Sequence, residues 1–180
     1  ALAISERVRG PTHRAVGNLH LDLGNVARLQ SRYDAAEREY RRALGIYQVT
    51  LGPRSEFAAV AMSELAAVHL AREQWRDAER GFREVLTLLR EIFPGDHLRV
   101  ADAQIRLGRA LLREGRVMES ERESRAGYEM VRRLASPGHV LLEAARADLA
   151  ESYTKLGRAD EADRFRRELV EHPPRIPGRK

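Results

Sequence analysis

The residue types with most scope for chemistry in this chain are its six histidines and its many carboxylates and arginines. Histidine binds metals as the neutral imidazole and can act as a base near neutral pH. His13, Ser55, His97 and His139 stand 42 residues apart, each where a helix should open. Residues separated by a whole repeating unit do not converge on one ion, so this column reads as helix-start structure. His69 falls in an aromatic, core-type column and is expected to be packed. His20 and His172 have no partner that the sequence identifies. The carboxylates stand mostly three or four residues from arginines, as in "DAEREYRRAL" and "ESERESRAG". That is the spacing of ion pairs along a helix surface. No HExxH, no GxSxG, no Gly-rich phosphate loop and no metal-ligand spacing occurs. The chain is therefore expected to be no enzyme, with no catalytic residue, no metal and no cofactor.

Composition fits that reading. The 180 residues can bury one sizeable core, and 43% hydrophobic content excludes compositional disorder. Charged residues reach 33%, which suits helices with one solvated face. There is no cysteine, so neither disulfides nor zinc-thiolate sites can form. No apolar run is long enough to span a bilayer and no secretory signal pattern is present, so the expected location is cytoplasmic. The net charge of +5 is almost all arginine, which raises nucleic acid as a partner, but the arginines are interspersed with nearly as many acids.

The elements that must position these side chains follow from an internal period. Tyr33, Trp75, Val117 and Ala159 are 42 residues apart, and so are Leu23-Gly24, Leu65-Ala66, Leu107-Gly108 and Leu149-Ala150. Ala36, Ala78, Ser120 and Ala162 keep the same interval. The breakers Gly10-Pro11, Gly52-Pro53, Pro94-Gly95 and Pro137-Gly138 keep the phase to within a residue. Each period splits into a first helix (A), at about 13–29, 55–72, 97–114 and 139–156, and a second (B), at about 34–50, 76–92, 118–134 and 160–171. Gly115 and Gly157 stand where a left-handed residue ends helix A, a place taken by Ser31 and Glu73 in the first two units. Small residues at Gly24, Ala66, Gly108 and Ala150 mark where A should cross B most closely. Tyr33, Trp75, Tyr40 and Phe82 should fill the space between hairpins. One hairpin cannot bury its own apolar face, so stacking must supply the core.

This pattern resembles the tetratricopeptide repeat (TPR) over about residues 1–170. The columns Leu65-Ala66, His69, Ala78, Phe82 and Val85, and Leu23-Gly24, Ala27, Ala36, Tyr40 and Ala43, carry the resemblance. The 42-residue unit and "YDAAEREYRRALGIYQVTLGP" are similar to the longer-helix variety found in kinesin light chains and many bacterial regulatory proteins. The resemblance implies an all-α fold, a right-handed α-solenoid of antiparallel helix-turn-helix hairpins. It divides residues 1–171 into a truncated helix B (1–10), repeats at 11–52, 53–94 and 95–136, and a terminal repeat at 137–171. Because "ALAISERVRGP" aligns with "ALGIYQVTLGP", the chain is expected to be part of a longer array or multidomain protein. Ser124 and Arg166 replace the aromatic of Tyr40 and Phe82, which reads as a more polar capping end before a Pro-rich tail at 172–180.

In this family helix A lines the concave surface. The resemblance places in that groove Asn18, Leu21, Asn25 and Arg28, then Ser63, Ala67 and Leu70, then Asp102, Ile105, Arg109 and Arg113, then Glu151 and Lys155. Val60, Leu112 and Thr154 belong to the same columns. The implied function is a protein- or peptide-binding scaffold whose partner carries acidic and apolar residues. The chaperone-tail carboxylate clamp and the paired asparagines of kinesin light chains are not reproduced: Leu21, Glu64 and Asp102 stand in the clamp columns, and Ser63-Glu64 and Ile105-Arg106 where the asparagines belong. Two other readings stay open. One is self-association through the apolar N-terminal half-hairpin. The other is a nucleic-acid-binding solenoid, which needs a continuous basic stripe with stacking aromatics.

Overall fold

The computed structural model describes residues 2–173, so Ala1 and the proline-rich stretch from Pro174 onward lie outside the described residues. Among the described residues there are nine α-helices and no strand: α1 (Leu2–Arg9), α2 (Arg14–Leu29), α3 (Tyr33–Leu51), α4 (Glu56–Ala71), α5 (Trp75–Ile92), α6 (Leu98–Arg113), α7 (Val117–Leu134), α8 (Val140–Lys155) and α9 (Ala159–Glu171). The chain divides into two compact units between Ile92 and Phe93. In the first, α2 pairs with α3 and α4 with α5, while α3 packs on α4 and α1 on α2. In the second, α6 pairs with α7 and α8 with α9, and α8 packs on both α6 and α7.

Each A helix opens on the residue of the histidine column. His13 Nδ1 accepts from Ala15 N at 3.1 Å, Ser55 Oγ from Ala58 N at 3.3 Å, His97 Nδ1 from Arg99 N at 3.2 Å and His139 Nδ1 from Leu141 N at 3.3 Å. These side chains satisfy N–H groups that the first helical turn leaves without an intrahelical acceptor. The three histidines therefore serve as helix caps.

Each A helix also ends the same way. Arg32 N donates to Ala27 O, Gln74 N to His69 O, Arg116 N to Leu111 O and Arg158 N to Tyr153 O, every one at 2.9 Å. This six-residue closure needs one left-handed residue. Gly115 and Gly157 supply it at φ 81° and 72°, and Ser31 and Glu73 are forced into it at φ 57° and 61°.

The helices then cross at the small residues. A β-carbon on Gly24 would come within 2.5 Å of the Tyr40 ring, and one on Gly108 within 2.9 Å of Ser124 N. Sequence reading left a second set of close approaches unmarked: a β-carbon on Gly17 would meet the Tyr47 ring at 2.7 Å, and one on Gly127 would meet Ala101 O at 2.8 Å. Ser124 is fully buried against Gly108, which corrects its reading as part of a polar cap: helices this close leave no room for an aromatic ring. Arg166 is exposed.

The core of each unit forms from the residues these crossings enclose. In the first unit Ala27, Ala36, Tyr40 and Val68 form one cluster, and Ala43, Tyr47, Ala58 and Ala61 another. In the second, Tyr128, Leu142, Leu149, Tyr153 and Phe165 share one cluster, with the Tyr128 ring edge-on to Phe165 at 5.3 Å.

A non-glycine residue in the left-handed region costs about 1 kcal/mol. Ser31→Gly and Glu73→Gly are each expected to raise the melting temperature by about 2–4 °C, read by thermal denaturation. No change in either variant would show that the turns carry no strain.

Candidate functional site

The expected groove residues sit on α2 and α4 in the first unit and on α6 and α8 in the second. On α2, Asn18 and Asn25 are committed to the fold. Asn18 Oδ1 accepts from the Tyr47 hydroxyl and Asn25 Oδ1 from the Tyr40 hydroxyl, both at 2.9 Å. Both rings are fully buried, and a buried phenol needs a partner for its O–H. The two pairs obey antiparallel geometry: seven residues forward along α2 match seven residues back along α3. Burial pushes the Tyr47 phenol up to about 12, with Asp22 adding to the rise and Arg14 opposing it. Leu21 is half-buried and packs on the clusters that hold Tyr40 and Tyr47, so it faces the hairpin interior.

Arg28 reaches from α2 to α4, with its Nε 3.5 Å from Glu64 Oε2. Ser63, Ala67 and Leu70 are half-buried along α4, as is Val60.

In the second unit the burial of Ile105 corrects its place in the groove. It is 2% exposed and belongs to the core with Tyr128 and Leu142. The reason is steric: glycine at 127 lets α7 close over this stretch of α6, so the Ile105 side chain fills the crossing. Leu112 is likewise buried. Asp102 is half-buried and bonded to Arg106 Nε on its own helix at 3.0 Å.

The remaining groove residues form a ladder between α6 and α8. Arg109 holds both oxygens of Asp148, with Nε at 3.0 and 3.1 Å and Nη2 at 3.0 Å. One helical turn on, Arg113 Nη1 donates to Glu151 Oε1 at 2.9 Å, and Lys155 Nζ lies 3.0 Å from the same oxygen. Asp148, which sequence reading missed, is 3% exposed. Burial raises its carboxyl, against the opposing pull of Arg109. Burial works on Glu151 in the same direction, but the bonds from Lys155 and Arg113 outweigh it and leave that carboxyl lowered. The signal was available: Asp148 and Glu151 stand 39 and 38 residues after their arginines, close to one repeat.

Arg28, Arg109 and Arg113, expected to face a partner, are thus engaged by a neighbouring helix, and Lys155 by Glu151 on its own. Thr154 Oγ1 donates to Ala150 O at 2.7 Å and accepts from Arg166. His20 and His69 are also committed. His20 is 4% exposed and pairs with Glu39 at 2.6 Å, and His69 Nδ1 lies 2.8 Å from Gln74 Oε1 at the end of α4, not in the core. Among the described residues no group of three or more His, Cys, Asp or Glu could hold a metal ion, and no helix is long and apolar enough to cross a membrane. No Phe, Tyr or Trp ring among them is exposed.

Comparison with known proteins agrees with this architecture. A family model described as tetratricopeptide repeat matches residues 1–48, 16–91 and 57–117, well over half the chain. The chain belongs to the tetratricopeptide-repeat family. Among solved structures it is similar to BtubC (BKLC) from P. vanneervenii, at 19% identity and TM-score 0.80, over 99% of this chain and 73% of that one. It is similar to a putative kinesin light chain from Podospora anserina, at 18% identity and TM-score 0.70, over 94% and 81%. A Rap protein complexed with Competence and Sporulation Factor aligns at 15% identity and TM-score 0.75, over 88% of this chain and 44% of that one. A search of curated proteins gave no match.

Breaking a pair that leaves a carboxylate buried is costly, whereas exposed pairs contribute little. Arg109→Met is expected to lower unfolding free energy by about 2 kcal/mol and Arg113→Met by under about 1 kcal/mol in urea titrations at neutral pH. Because the Asp148 pKa is raised in the folded state, its charged form opposes folding above that pKa. The Arg109→Met deficit should therefore shrink as pH falls through it. A deficit that grows on acidification would contradict the assignment.

Proposed function

We propose that the chain is a protein- or peptide-binding scaffold module whose partner lies along the A-helix faces. The observation that carries this reading is the approach of α6 and α8. They lie close together and are laced by Arg109–Asp148 and Arg113–Glu151, whereas α7 and α9 meet through long side chains such as Tyr128 and Phe165. The A side of this unit presents alternating charges, which supports its use as the binding face. Membership of a repeat family, and a Rap protein of the same fold solved with a bound factor, support the class of function.

The ladder sharpens what the partner should offer. An acidic side chain must exchange with Glu151, which is a third exposed, more readily than with the buried Asp148. The proposed partner is an extended peptide whose acidic side chains reach Arg113 and Lys155 of the second unit. Peptides selected from a random display library on the parent chain are expected to bind Arg113→Glu plus Lys155→Glu at least tenfold more weakly by fluorescence anisotropy. Unchanged affinity would overturn the groove, and failure to enrich any peptide would overturn the reading.

Self-association remains a second reading because one observation favours it. Leu23 and Val26 are 44% and 49% exposed, while Leu149 and Ser152, at the same places in the last hairpin, are fully buried. Ile4, Val8 and Leu29 extend the open apolar face. Light scattering should then show a dimer that Val26→Glu dissociates, and a monomer at every concentration would exclude it. A nucleic-acid role loses support, since many arginines pair with acids and no Phe, Tyr or Trp among the described residues is exposed.

A further inference from the structure

On the opposite side of the second unit, α7 and α9 leave a crevice of about 370 Å³ floored by α8. Its floor is Arg146, only 3% exposed. The repeat does not demand arginine there, because the matching positions are His20, Met62 and Gln104. A buried guanidinium is expensive unless its donors are satisfied. Arg146 Nε donates to Glu168 Oε2 at 3.2 Å and Nη1 to Pro137 O at 3.0 Å. Among the described residues these are its only hydrogen bonds, so donors remain on both Nη atoms.

Glu168 does not cancel the positive charge of the crevice. Its Oε2 also accepts from the Tyr128 hydroxyl, and its Oε1 accepts from Arg164 Nε at 3.2 Å. Both oxygens are thus taken, and the carboxylate is offset by two arginines. Burial alone would raise its pKa, but the bonds from Tyr128, Arg146 and Arg164 keep it lowered and ionised. A second cation stands at the mouth: the guanidinium of Arg132 lies 5.6 Å from the centre of the Tyr128 ring, and its pair with Glu129 is exposed and long at 3.4 Å. His172 lies on the rim, and Ala135 and Pro137 give the crevice an apolar wall.

We propose that this crevice binds a small organic carboxylate, its charge against Arg146 and Arg132 and its compact apolar body against Ala135 and Pro137. The volume is near the lower end of small-ligand pockets and excludes a peptide helix. Inorganic phosphate would satisfy the guanidinium groups but leave the apolar wall unused.

The test is calorimetric titration of the whole chain at constant ionic strength with isocaproate, isocaproamide and inorganic phosphate. Saturable binding of isocaproate is expected, with none of the neutral amide and weaker binding of phosphate. Arg132→Gln alters an exposed residue and should leave the melting temperature unchanged while weakening isocaproate about tenfold. Absence of saturable isocaproate binding, equal binding of the amide, tighter binding of phosphate, or an unaffected Arg132→Gln affinity would each overturn the proposal.

Discussion

Helix A and helix B of a hairpin pass too close for a side chain at certain positions, and the rest of the structure follows from that. At Gly108 the obstacle to a β-carbon is backbone, with Ser124 N at 2.9 Å and Ser120 O at 3.1 Å, so no rotamer change can relieve it. At Gly24 and Gly17 the obstacles are the Tyr40 and Tyr47 rings, which lie flat over the bare backbone of α2. A ring seated there is fully buried, so its hydroxyl must find an acceptor on α2, which is why Asn25 and Asn18 are where they are. Close crossing thus fixes packing, and packing fixes the polar groups.

The same constraint bears on the proposal that a partner meets the A-helix faces. In the second unit the A helices α6 and α8 approach one another. A-helix charges pair across hairpins, as Arg109 does with Asp148 and Arg28 with Glu64. On the other side the B helices are held apart by Tyr128 and Phe165, which opens the crevice above Arg146. The second unit therefore has a laced, charged A-helix face and, on its other side, a small crevice above Arg146.

Much of this was legible in the chain because a period exposes structure by repetition. The caps, the left-handed turns and the crossing at Gly108 each occupy a column, and Ser31 adopts the same left-handed backbone as glycine because the closure around it is the same. What escaped were pairings between columns. Asn18 and Asn25 look like ligand-binding groups until the Tyr47 and Tyr40 hydroxyls are placed opposite them. Ile105 shares a column with groove residues, yet glycine at 127 draws α7 over it and buries it. Arg146 and His20 share a column that no apolar pattern marks, and only the three-dimensional arrangement shows that both are buried. A column identifies a position in the repeat, but its exposure depends on the residue across the crossing.

The most direct measurement of the central claim compares two glycine-to-alanine changes by thermal and urea denaturation. Gly45 lies within α3, and a β-carbon added there would meet nothing within 4 Å, so Gly45→Ala should gain about 0.5–1 kcal/mol from helix propensity alone. Gly108→Ala gains the same propensity but forces α6 and α7 apart, and should lose about 1–3 kcal/mol net. Opposite signs are predicted; a Gly108→Ala variant as stable as Gly45→Ala would contradict the account.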